Sequence, residues 1–105
     1  MPARLIDVLP AFAAELEALL LEEEPALSVQ VRGLTIVDRR RCGDDFCATF
    51  YSEPRPEGNY GLSHRNVALE PSQGMLILDV VGTKIACVEV LYRDEIREVL
   101  HSVLP

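Results

Sequence analysis

The sequence predicts an α+β domain: a five-stranded, mostly antiparallel sheet flanked by an N-terminal and a C-terminal helix. Three observations predict it. Apolar stripes at helical spacing open and close the chain. Between them lie short apolar or alternating segments separated by turn residues. The 105 residues contain no repeat, low-complexity stretch or linker, so one domain spans 1–105.

The first helix is expected over residues 7–24, where Leu9, Phe12, Leu16, Leu19 and Leu20 extend a stripe begun at Leu5. Asp7 would cap it, placing Pro10 in the first turn, where a missing N–H is tolerated. Pro25 ends it, because the residue before a proline avoids helical geometry. Glu22, Glu23 and Glu24 then sit at the negative end of the helix dipole. They are either a solvated helix end or an acidic patch for a basic partner.

Residues 28–41 read as extended, with Gly33 marking a bulge or bend. The turn 42–45 leads into a strand over 46–52, with Phe46, Ala48 and Phe50 on one face and Cys47, Thr49 and Tyr51 on the other. These two strands are expected to pair as a hairpin. Residues 53–65 form a long loop, and a short strand follows over 66–70. Residues 75–81 and 84–92 make the clearest hairpin, closed by Gly82-Thr83. A two-residue loop sets Val81 opposite Lys84 and Ile77 opposite Val88. Asp79 and Glu89 then point to opposite faces, which rules out an acid/base dyad. Asp79 is left to pair diagonally with Lys84. Both faces of this hairpin are mostly apolar, so both need a cover. The terminal helices supply one; a second copy, in a homodimer, supplies the other. The last helix is expected over 94–103, on the stripe Ile96, Val99, Leu100 and Val103.

Composition excludes several function classes. No apolar run approaches the ~20 residues that cross a bilayer, and no secretory signal is read at the N-terminus. Cys42, Cys47 and Cys87 are an odd count, which favours reduced thiols in a cytoplasm. A net charge of −7 argues against nucleic acid. Residues 29–41 run against that balance, carrying Arg32, Arg39, Arg40 and Arg41 with Asp38 alone among acids. They are a solvated strand end or a site for an anion or acidic partner.

Four constellations bear chemistry. Cys42 and Cys47 with His64 offer soft ligands for zinc, although their spacing departs from the usual pairs and no fourth ligand is evident. No metal or other cofactor is therefore expected. Cys47 with His64 is a minimal thiol–base pair without a surrounding nucleophile signature. The loop from Glu57 to Asn66 gathers Tyr60, His64 and Arg65 between glycines, and a small-ligand site would use those three. Glu89, flanked by apolar residues, is the most anomalous acid: it needs a raised pKa, a partner, or an edge position reaching water.

The pattern Leu78-Asp79-Val80-Val81-Gly82, then Ile85 and Val88-Glu89-Val90-Leu91, resembles the hairpin of small uncharacterised bacterial domains. The resemblance covers residues 75–92. It implies a small bacterial α+β protein and brings no activity or site residue with it. The combined expectation is a non-enzymatic binding or interaction protein that self-associates through its sheet. By analogy of charge it would meet a basic protein partner in the manner of an immunity protein. The alternative is a small enzyme or metal-binding domain built on the His64 loop and Cys42/Cys47.

Overall fold

Pro10 divides the N-terminal helix that the apolar stripe predicts. The computed structural model describes residues 3–41 and 45–104. In chain order its elements are β1 (Ala3–Arg4), α1 (Leu5–Val8), α2 (Pro10–Glu23), α3 (Pro25–Ser28), β2 (Thr35–Ile36), β3 (Asp38–Arg39), β4 (Phe50–Tyr51), β5 (His64–Leu69), β6 (Met75–Val81), β7 (Lys84–Leu91) and α4 (Asp94–Val103). Leu9 breaks helical geometry at φ −134°, ψ 67°, as a residue before proline should, and Pro10 opens α2 instead of sitting inside a longer helix. Asp7 caps nothing; it pairs with Arg4 at 3.1 Å.

The segment expected to be extended from residue 28 begins with helical turns and becomes extended only after Leu34. Pro25 starts α3, and a 3-10 turn follows over Val31–Gly33. Extended structure is confined to β2, which pairs with β1 in a separate two-stranded sheet, and to β3. β3 and β4 form the expected antiparallel pair, Asp38 opposite Tyr51, but β4 is two residues long. The main sheet has five antiparallel strands in the order β3-β4-β7-β6-β5.

Both α2 and α4 pack on one face of this sheet. Phe12, Leu16 and Leu20 of α2 and Ile96 and Leu100 of α4 share a buried cluster with Phe50, Val67, Leu69, Leu76, Leu78, Val88 and Val90. The Phe12 and Phe50 rings meet edge-on, centres 6.4 Å apart.

The β6–β7 hairpin departs from the expected register. Val81 opposes Lys84 and Val80 opposes Ile85, but Asp79 opposes Cys87. Ala86 is the extra residue of a β-bulge. Beyond it Ile77 faces Glu89, not Val88. A one-residue slip sends each side chain to the other face. Val88 and Val90 therefore turn to the helices, while Cys87 and Glu89 join Asp79 on the helix-free face. Ordinary ladder bonds cannot satisfy a bulge's backbone, and here other segments do so. The Ser52 and Glu53 amides donate to the Ala86 carbonyl at 2.9 and 3.3 Å. The Ser52 hydroxyl donates to the Ile85 carbonyl at 2.7 Å, and the Ile85 amide donates to Gln30 Oε1 at 3.1 Å. The bulge is thus fixed by residues distant in sequence.

Gly74, before β6, has φ +71°, and a Cβ there would run into the Leu91 carbonyl oxygen and the Arg93 side chain. Gly74→Ala is expected to destabilise the fold by about 2 kcal/mol, combining left-handed strain with a backbone clash. Urea unfolding checks this; a loss under about 0.5 kcal/mol would show that the turn has room to shift.

Among the described residues no helix is long and apolar enough to cross a membrane.

Candidate functional site

A sheet face turned from its helices should carry polar side chains where water reaches it. Here the middle of that face carries two acids, one of them closed to water and the other half-buried. Asp79 is 4 % exposed, and the bulge puts Glu89 beside it. The two carboxyls are close enough to shift each other's pKa. The Asp79 carboxylate also accepts from His64 Nε2 at 2.7 Å and from Asn66 Nδ2 at 2.8 Å. β5 supplies both donors because alternate residues of a strand share a face.

Burial pushes the Asp79 carboxyl up, but hydrogen bonds from Glu89, His64 and Asn66 outweigh it and hold it below its ordinary value. Glu89 goes the other way. Burial, then its hydrogen bond to Asp79 and that neighbour's negative charge, push it up to about 7. Two neighbouring carboxyls cannot both ionise cheaply, so Glu89 gives up its proton later than an ordinary glutamate does. Arg40 Nη1 stands 3.8 Å from Glu89 Oε1, and its guanidinium lies 6.0 Å from the Tyr51 ring centre.

Tyr60 roofs the cluster. Its ring lies 4.8 Å from the His64 ring, tilted by 37°. Its hydroxyl is buried and has no hydrogen-bond partner among the described residues. Burial, and the charges of Cys87 and Asp79 nearby, raise its pKa well above the ordinary tyrosine value. Cys87 lies beneath, fully buried, its thiol pushed up to about 12 by burial and by Asp79. It is no nucleophile at neutral pH, because the thiolate is the reactive form.

Of the residues the sequence singled out, Tyr60, His64 and Glu89 come together. Arg65 does not. It occupies the other face of β5 and makes a two-pronged ion pair with Glu24, both distances 2.6 Å. The exclusion of an Asp79–Glu89 dyad is overturned by the bulge, and Asp79 bonds His64, Asn66 and Glu89 in place of Lys84. The sulfur constellations also dissolve. Cys47 is disulfide-bonded and Cys87 is a free thiol; Cys42 lies outside the described residues. Cys47 bridges to Leu91 at one end of β7, whereas His64 pairs with Val81 at the hairpin turn, the other end. So Cys47 is neither a thiolate ligand nor a partner for His64. Among the described residues no three His, Cys, Asp or Glu side chains group as metal ligands. The expectation of wholly reduced thiols fails at Cys47.

Sequence reasoning missed Asp79, Asn66, Arg40 and Tyr51 as members of the cluster. The available signal was two acids in one apolar hairpin. Comparison with protein-family models, curated proteins and solved structures returned no match.

Proposed function

We propose that the protein is a non-enzymatic binding module that self-associates through the helix-free face of its sheet. The observation that carries this is the one-sided helix layer. It leaves Ala68 and Met75 exposed and Ile77 and Leu91 half-buried on the opposite face, next to the Asp79–Glu89 cluster. The sheet's edges point the same way. β3 is a two-residue edge, too short to template pairing, whereas β5 presents six residues. A second copy fits because one patch can meet itself about a two-fold axis.

Ile77→Glu tests it. The wild type is expected to run as a dimer in light scattering and native mass spectrometry at micromolar concentration, and Ile77→Glu as a folded monomer. A wild type that stays monomeric at millimolar concentration would overturn the reading.

A basic protein partner is a weaker part of the proposal, since Arg65 already engages Glu24 of the acidic helix end. A cytoplasmic setting rests on composition and the free Cys87 thiol; the disulfide at Cys47 weighs against it. One observation favours a second reading, a small acid–base enzyme: His64, Asp79 and Glu89 form a continuous proton-carrying chain with Glu89 titrating near neutrality. His64→Ala should leave self-association intact under the binding reading.

A further inference from the structure

The arginine-rich segment is not used up by the binding face. Arg32 pairs with Glu17, and Arg41 with Asp38. Arg39 donates to the Leu104 carbonyl and lies 3.4 Å from His101. Arg40 pairs with Glu89 at 3.8 Å on the helix-free face of the sheet, and there it also forms a wall of a cavity of about 310 Å³. Tyr51 and Tyr60 form two more walls, Pro56 and Gly58 the rim, and Arg55 reaches in from the loop over the sheet. Arg55 makes no ion pair among the described residues.

Two guanidiniums and two phenol rings around one cavity of this size have a definite chemical preference. Guanidiniums bind carboxylate and phosphate oxygens through paired N–H donors and stack on flat rings. Tyrosine faces accept a flat ring edge-on or offset. The volume is at the small end of ligand pockets, enough for one ring and one anionic group. The chain carries a net −7, so a locally basic cavity is not a by-product of overall charge.

We infer that the cavity between Arg40, Arg55, Tyr51 and Tyr60 is a binding site for a small aromatic anion, the acidic group held by the two arginines and the ring by the two tyrosines. It shares no lining residue with the self-association strip at Ala68, Met75, Ile77 and Leu91 on the same face, so the two are tested by different variants.

Phenyl phosphate is the probe, with inorganic phosphate and phenol as its two halves, in an NMR titration of the full chain that follows amide and arginine Nε–H signals. Phenyl phosphate is expected to bind with Kd under about 1 mM, shifting Arg40, Arg55 and Tyr60, and each half at least about tenfold more weakly. Arg55→Gln changes an exposed side chain and should fold normally; it is expected to weaken phenyl phosphate about tenfold. Ile77→Glu should bind it as the wild type does. No saturable shift up to about 10 mM, or equal affinity in Arg55→Gln, would overturn the inference. Inorganic phosphate binding as tightly as phenyl phosphate would also overturn it, since the tyrosine walls would then contribute nothing.

Discussion

Arg93→Ala is expected to lower the unfolding free energy by about 3 kcal/mol. Arg93 precedes α4 and is 8 % exposed. Its two terminal nitrogens grip both Glu15 oxygens at 2.9 and 2.8 Å, and its Nε donates to Glu95 at 2.9 Å. A further bond reaches the Gln73 carbonyl at 3.3 Å, and the guanidinium lies 5.8 Å from the Phe12 ring centre. One side chain thus joins α2, the turn before β6 and the start of α4. Truncation would leave the Glu15 carboxylate beside an apolar wall. Breaking a buried pair from one side costs roughly 3–5 kcal/mol. Glu15 keeps 27 % of its side-chain surface in water, which places this case at the low end. Arg93→Lys keeps the charge but loses the fork, so about half the loss should remain. For a domain of this size 3 kcal/mol corresponds to a drop in Tm of about 12–20 °C. A loss under about 1 kcal/mol in urea unfolding would mean that α4 is held by Ile96 and Leu100 alone.

Nothing local in the sequence marks Arg93 among the ten basic residues. Its role follows from where Glu15 and Gln73 arrive, and that is tertiary information. The same division runs through the molecule. The α4 stripe of Ile96, Val99 and Leu100 is legible because a helix repeats its burial every three to four residues. The β6–β7 turn is legible because Gly82-Thr83 sits between two apolar runs. The bulge at Ala86 is not, because Ser52, Glu53 and Gln30 hold it from other parts of the chain. That single residue decides the candidate site. With regular pairing Glu89 would face the helices and Asp79 would stand alone. With the bulge they lie together on the helix-free face and shift each other's pKa. Tyr60 and His64 were legible as loop chemistry, yet their meaning came from Asp79, which the expected register paired with Lys84. Residues 28–34 misled for a simpler reason: Val29 and Val31 alternate as a strand would, but Pro25 starts a new helical turn, and Val29 is left 79 % exposed.

The bulge also fixes how stability depends on pH. Glu89 in the fold titrates near 7, above its ordinary 4.5. Between those values the folded chain holds a proton that the unfolded chain has released. Stability from this source is therefore full below about pH 4.5 and is lost as pH rises through 7. Asp79 is held low, so its contribution is present above about pH 4 and is lost as pH falls further. Glu24, Asp38 and Glu95, held low by Arg65, Arg41 and Arg93, act with it in that acid range. Glu89 thus favours acid conditions, whereas these lowered carboxylates favour pH above their own range. His101 has the opposite sign to Glu89 over the neutral range. Burial, then Arg39 and Arg97, hold its pKa down, so its protonation costs stability as pH falls through about 6.5. The difference between wild type and Glu89→Gln cancels His101. The side-chain amide introduced by that substitution would still donate to Asp79 but could not titrate. The full shift would amount to about 3 kcal/mol; with 27 % of the Glu89 side chain in water, about 2 is expected. Wild type minus variant should thus fall by about 2 kcal/mol from pH 5 to pH 8, read by urea unfolding. A difference that stays flat would mean that Glu89 is ionised throughout and that Arg40 holds it beside Asp79.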